Sequence, residues 1–169
     1  NKLDSSIFKA DVLSIMGEAG ETTGDAEKTR FIKEILSKIQ KSREEDTGIK
    51  TKEVGDVGEA IIIEHEKKRL ALLKMEKFLH LIIKIPETFA VGYDISSYEG
   101  KGDIRRYIEV KTTVSRGKLA SKNFHMTPSE WSAANTMKEY YFIYRLMISV
   151  TDLSLFLIKD PVTKYKHDL

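Results

Sequence analysis

Gly92-Tyr93-Asp94-Ile95 and Ile108-Glu109-Val110-Lys111-Thr112-Thr113 are the two stretches whose reading decides the fold of this chain. Each sets charged residues among apolar and β-branched ones, and a polar, glycine-containing run separates them, the pattern of two strands joined by a loop. Successive side chains of a strand point to opposite faces. Glu109, Lys111 and Thr113 therefore share one face, and Ile108, Val110 and Thr112 share the other. If the chain folds back antiparallel through residues 96–106, Asp94 comes beside Glu109 across the ladder. Two carboxylates and a lysine then converge on one edge.

Hard divalent cations prefer oxygen ligands, and magnesium usually keeps several waters while binding one or two carboxylates and a substrate phosphate. Asp94 and Glu109 meet that demand, and the Val110 carbonyl between Glu109 and Lys111 offers a third protein oxygen. Lys111 is placed to orient or help deprotonate a water attacking phosphorus. The set suits Mg2+-assisted (or Mn2+-assisted) phosphodiester hydrolysis. As a surface ion pair, Glu109 and Lys111 would contribute less than ~1 kcal/mol, and Asp94 would be a turn residue. Spacing alone leaves both readings open.

Asp94 as a first acid and Glu109-Val110-Lys111 as E-x-K resemble the PD-(D/E)xK nuclease superfamily, which includes many restriction endonucleases. Tyr93 stands where the superfamily's name has proline. More narrowly, Gly92-Tyr93-Asp94-Ile95, Ile108–Thr113, Thr127-Pro128-Ser129-Glu130-Trp131 and Tyr141-Phe142-Ile143-Tyr144-Arg145 are similar to the NO VEIN C-terminal family, a branch often attached to helicases, ATPases and restriction systems. The likeness runs from about Val54 to Leu146. It implies an α/β, restriction-endonuclease-like mixed sheet flanked by helices. It also implies a Mg2+-dependent DNA endonuclease of a restriction or DNA-processing system, with Asp94 and Glu109 as metal ligands and Lys111 as the catalytic lysine. The alternative is a catalytically inactive module of the same fold that binds DNA or protein within a larger ATPase or helicase assembly. Double-strand cutting would call for a homodimer.

Working outward, Asp56 can cap a helix to about Lys77 with Val57, Ala60, Ile61, Ile63, Glu64 and Leu70 directed inward. The superfamily often carries another acid on such a helix. Glu59 and Glu64 are its candidates, and the family-like Gly58-Glu59-Ala60 favours Glu59. Alternating Leu79, Leu81, Ile83 and Ile85 predict a strand stopped by Pro86. Strands follow at Phe89–Tyr98, Tyr107–Thr113 and, briefly, Asn123–Met126. Thr127, Pro128 and Glu130 stand at the positions of an N-cap, a first helical residue and the partner acid of a capping box, predicting a helix to about Lys138. Tyr140–Ile148 and Leu153–Ile158 read as the last strands. A mixed sheet with a helix on each face buries these surfaces.

Upstream, a short helix from Asp4 or Ser5 to Gly17 and a second over Asp25–Ser42 precede a polar stretch, Arg43–Gly55, that reads as a linker. Residues 1–53 are therefore expected to be a helical N-terminal extension and linker, and 54–169 the nuclease-like domain. Asn rather than Met at position 1 is expected of a segment excised from, or processed out of, a longer protein.

The whole chain carries a net charge of only +2, but Lys101–Lys122 holds Lys101, Arg105, Arg106, Lys111, Arg116, Lys118 and Lys122 against Asp103 and Glu109. Six of these, Lys101, Arg105, Arg106, Arg116, Lys118 and Lys122, are candidate contacts to the phosphate backbone of DNA, giving salt-sensitive and largely sequence-independent binding. Without cysteine there are no disulfides, thiolate metal sites or thiol nucleophiles. His65, His80, His125 and His167 lack zinc-ligand spacing, although His125 could face the site. No Walker A loop, dinucleotide-binding loop or Gly-x-Ser-x-Gly elbow occurs. The sequence shows no signal-peptide pattern and no apolar run of about 18 residues, so the expected location is cytoplasmic or otherwise intracellular, away from membranes. At 169 residues and 41% hydrophobic, the chain is long enough to bury roughly 70% of its unfolded surface.

Overall fold

The computed structural model describes Ser37 and residues 51–115, 124–149 and 153–167. Ser37 is helical, and the rest of the expected N-terminal extension up to residue 50 lies outside the described residues. The first described helix, α1, runs from Thr51 to Leu72. It begins inside the stretch expected to be a linker: Lys and Glu are good helix formers, so a segment without an apolar stripe can extend a helix whose burial starts at Val57. Val57, Ile61, Ile62, His65, Glu66 and Leu70 form its buried stripe. The helix ends at Leu72, earlier than expected, where Lys74 turns to φ +57° and the Met75 N–H returns to the Leu70 carbonyl at 2.9 Å.

A five-stranded sheet follows in the spatial order β1 (Ile83–Lys84), β2 (Ile95–Tyr98), β3 (Arg105–Ser115), β4 (Tyr141–Ser149) and β5 (Leu153–Lys159). β1 with β2, β2 with β3, and β4 with β5 are antiparallel, whereas β3 and β4 are parallel. Parallel neighbours need a crossover, and α2 (Pro128–Met137) provides it. A short helix, α3 (Pro161–His167), ends the described chain. This is an α/β mixed sheet flanked by helices, as the residue pattern predicts.

Strand parity decides the layers. Ile108 on β3, Phe142, Tyr144, Leu146 and Ile148 on β4, and Leu155 on β5 pack with Val57, Ile61 and Ile62 of α1. On the opposite face, Tyr141 and Ile143 pack with Ala133 and Ala134 of α2 and Val162 of α3. Gly58 permits the α1 contact with the sheet: a Cβ there would fall 1.7 Å from Thr112 Oγ1.

Three local expectations are corrected. The strand predicted from Leu79 to Ile85 is a 3-10 turn, Glu76–Leu81, followed by the two-residue β1. Phe78 is buried with Leu70 and Tyr98, and Met75, Leu79, Leu81 and Ile82 pack on them. Apolar residues thus converge on one cluster below the end of α1, whereas a strand would send alternate ones to opposite faces. The short strand expected at Asn123–Met126 is irregular over its described part, 124–126, where Phe124 and Met126 pack on the Tyr141 and Ile143 cluster. The strand expected at Phe89–Tyr98 is limited to Ile95–Tyr98, after a 3-10 turn at Glu87–Phe89.

The helix α3 was not expected from the pattern. It is short, but Asp160-Pro161 marks its start: the Thr163 N–H donates to Asp160 Oδ1 at 3.2 Å.

Candidate active site

Asp94 lies one residue before β2, yet its backbone already follows the ladder. Its N–H donates to the Ile108 carbonyl at 2.9 Å, and its carbonyl accepts from the Ile85 N–H at 2.7 Å. Ile95 pairs with Ile108, so the antiparallel register sets Asp94 opposite Glu109. The Val110 N–H donates to Asp94 Oδ2 at 2.7 Å, fixing the carboxylate against β3. Peptides of a strand alternate in direction, so the Val110 carbonyl shares this β2-side edge with its N–H.

Gly92 makes this approach possible. Its φ is +82°, and a Cβ would lie 2.6 Å from the Ser129 carbonyl and 2.9 Å from the Ala133 Cβ of α2. Only a residue without a side chain fits both the conformation and the contact. The Tyr141 hydroxyl donates to the Gly92 carbonyl at 2.7 Å, and Tyr93 packs on Tyr107 with ring centroids 5.0 Å apart.

Across β3, Lys111 Nζ stands 2.8 Å from Glu109 Oε1 and 2.7 Å from Glu130 Oε2. Glu130 belongs to the first turn of α2, where the capping box forms as expected: the Glu130 N–H donates to Thr127 Oγ1 at 3.3 Å, and the Thr127 N–H donates to Glu130 Oε2 at 3.0 Å. One carboxylate therefore caps a helix and holds the lysine. Sequence reasoning assigned Glu130 only to the cap. The missing signal was tertiary, the position of the start of α2 above β3.

Burial of carboxylates against one another strains the site electrostatically. Burial, with the nearby Asp94 charge, pushes Glu109 up to about 8 even though Lys111 opposes the shift. Asp94 is pushed up to about 6, chiefly by burial; the Val110 N–H and Lys111 pull it down, while Glu59 and Glu130 push it up. Burial acts to lower Lys111, but its two carboxylate partners outweigh that and raise it. Glu130 is lowered because Lys111 and the Thr127 N–H outweigh its burial. Lys111 is thus an ammonium at neutral pH and serves as a hydrogen-bond donor rather than a base.

The donor set fits a hard cation. Among the described residues no three His, Cys or acidic side chains are clustered closely enough to form a ready metal centre. Magnesium, however, needs only one or two carboxylates beside waters and phosphate. Asp94 and Glu109, whose ionisation is resisted by burial and by neighbouring carboxylates, are groups that a cation would relieve.

Residues 58–158 match the family described as Protein NO VEIN, C-terminal. The chain belongs to this family. No curated protein and no solved structure gives a significant match. The NO VEIN C-terminal span contains Asp94, Glu109, Val110, Lys111 and Glu130, and nearly all of the sheet.

Other sequence-predicted residues are distributed differently. Glu59 on α1 is close enough to raise Asp94, and it pairs with Lys84 of β1 at 2.7 Å. Glu64 pairs with Lys67 at 2.8 Å, and is not among the charges that perturb Asp94 or Glu109. Lys101 is exposed on the β2–β3 loop. Arg105 is also exposed, donating to Ser96 Oγ at 3.2 Å with its guanidinium over the Tyr98 ring. Arg116, Lys118 and Lys122 lie outside the described residues. His125 is exposed.

Arg106 is a correction. Expected on a DNA-facing loop, it is only 7% exposed and takes the even-numbered face of β3 that α1 covers. Its guanidinium lies 2.6 Å from Glu99 and 3.7 Å from Glu66, donates to the Tyr144 hydroxyl, and stacks on Phe142. Glu66, fully buried, also accepts from Ser97 Oγ and the Tyr144 hydroxyl, each at 2.7 Å, and from Arg69 at 2.6 Å. Arg106 belongs to a buried network joining α1, β2, β3 and β4.

Proposed function

We propose that this NO VEIN C-terminal domain is a restriction-endonuclease-like, Mg2+-dependent DNA endonuclease that hydrolyses phosphodiester bonds as a module of a restriction or DNA-processing system. The observation that carries the reading is the convergence of Asp94, Glu109 and Lys111 at the β2–β3 edge, with Asp94 held by the Val110 N–H. The spacing D…E-x-K names these residues, and the register supplies the contact that spacing cannot.

Asp94 and Glu109, with the Val110 carbonyl, would hold the cation, which when bound would polarise the scissile phosphate and lower the pKa of a coordinated water. Lys111 donates to the attacking water or to the charge building on the phosphate. Glu109 and Glu130 limit its rotamers, so it is pre-oriented when substrate arrives. Glu59, near Asp94, is the accessory acid for a water in this edge.

Cleavage of plasmid and oligonucleotide DNA in Mg2+ or Mn2+, set against EDTA and an identically prepared Lys111→Ala chain, tests the reading. Metal-dependent cutting lost in Lys111→Ala supports it. Absence of cutting, with DNA binding unchanged in Lys111→Ala, would point instead to a binding module within an ATPase or helicase assembly.

A further inference from the structure

We propose that Arg145 of β4 is a phosphate-contacting residue that binds the nucleic-acid backbone beside Lys111, an inference that rests on the nuclease reading of the adjacent edge. The parallel β3–β4 register pairs Lys111 with Arg145, as it pairs Glu109 with Ile143. Level residues of neighbouring strands share a face, so Arg145 stands on the face that carries Glu109 and Lys111.

The Arg145 guanidinium has no anionic partner among the described residues. Arg145 is 4% exposed, and its Nε has no hydrogen-bond partner among the described residues. Its Cζ lies over the Phe124 ring, 5.9 Å from the centroid. Burial lowers its pKa, and no carboxylate offsets the shift. Glu109 and Glu130, carboxylates of the same site, are both engaged by Lys111.

Arg106, the other buried arginine among the described residues, is placed differently. Arg106 is 7% exposed and is met by Glu99, Glu66 and the Tyr144 hydroxyl. A guanidinium cannot shed its proton in a protein, so it must find an anion or bear the cost of burial unpaired. On the α1 face the protein supplies that anion. On the site face the described residues do not, and a phosphate matches the planar, forked donors of arginine. The site then has a division of labour: the Asp94–Glu109 pair takes the cation, Lys111 the reacting group, and Arg145 a backbone phosphate next to it.

The test is fluorescence anisotropy of a labelled DNA duplex over a salt series, with Ca2+ replacing Mg2+ to prevent turnover, on the full chain and its Arg145→Met and Arg145→Lys variants. Arg145→Met is expected to bind on the order of tenfold more weakly, and to lower the salt slope by about one, the signature of one lost phosphate contact. Arg145→Lys should retain the slope while losing part of the affinity. The melting temperature of Arg145→Met should equal or exceed that of the parent, since an unpaired buried charge has been removed. Wild-type affinity and slope in Arg145→Met would overturn the inference. So would failure of that variant to fold, because the charge would then serve the interior. If the parent binds DNA but never cuts it in Mg2+ while Arg145→Met loses the slope, the nuclease reading fails and the phosphate contact stands. If the parent cuts and the slope is unchanged in Arg145→Met, only the phosphate contact fails. A parent that binds no DNA overturns both.

Discussion

Replacing Glu109 by Gln should stabilise the cation-free protein, and more so at higher pH. Glu109 is 6% exposed and pushed from 4.5 up to about 8, first by burial and then by Asp94. As pH rises, the unfolded chain gives up this proton near 4.5 while the folded chain retains it to about 8. The unfolded state then binds fewer protons than the native state, so stability falls through that window, the reverse of a salt-bridged carboxylate. At ~1.4 kcal/mol per unit, a displacement of that size costs on the order of 4–5 kcal/mol by about pH 8. Gln keeps an oxygen for Lys111 and removes the ionisation. Thermal and urea unfolding in EDTA are the assay. At about pH 8 Glu109→Gln should melt roughly 8–20 °C higher than the parent, given ~2–4 °C per kcal/mol for a chain of this length, whereas at about pH 5 the gain should shrink to under ~1 kcal/mol. A gain independent of pH would refute the reasoning, as would any loss of stability at about pH 8, for then Glu109 would not be held protonated by its surroundings.

Magnesium should reverse that loss. A cation competes with protons for Asp94 and Glu109, held up to about 6 and about 8, so Mg2+ should raise the melting temperature at about pH 8, do little at about pH 5, and do little at either in Asp94→Asn; an equal rise in Asp94→Asn would place the cation elsewhere. Arg106→Ala should destabilise the fold by about 3–5 kcal/mol, because it leaves Glu66 and Glu99 short of a partner. Its salt slope for DNA, measured where the variant is folded, should match the parent; a drop would return Arg106 to the DNA-binding surface. Gly58→Val should cost about 1–3 kcal/mol in urea unfolding, since the new side chain meets Thr112. An unchanged urea midpoint would mean that α1 does not rest on β3 at this point.

What could be read in the sequence was local and periodic. The two-residue alternation of Ile108–Thr113 fixed which of its side chains share a face, and Thr127-Pro128-Ser129-Glu130 announced both the start of α2 and the reason for it. That alternation also puts Arg106 on the face opposite Glu109 and Lys111, so its burial was legible once parity was followed beyond the motif. The apolar run Leu79–Ile85 misled because a period of two also suits residues gathered on one hydrophobic cluster, and only the positions of Leu70 and Tyr98 show that such a cluster exists.

The candidate site divides in the same way. Residue type and spacing brought Asp94, Glu109 and Lys111 forward, because hard cations and phosphate restrict which side chains can serve, and the family resemblance set that reading above an ordinary surface pair. Their contact, and the Val110 N–H that holds Asp94, came from strand register. Glu130 and Arg145 reach Lys111's face from α2 and β4, on segments 19 and 34 residues away along the chain. No local pattern encodes such a meeting: it follows from a parallel crossover that sets the first turn of α2 and the strand after it over β3, and from burial, which turns ordinary carboxylates into strained ones.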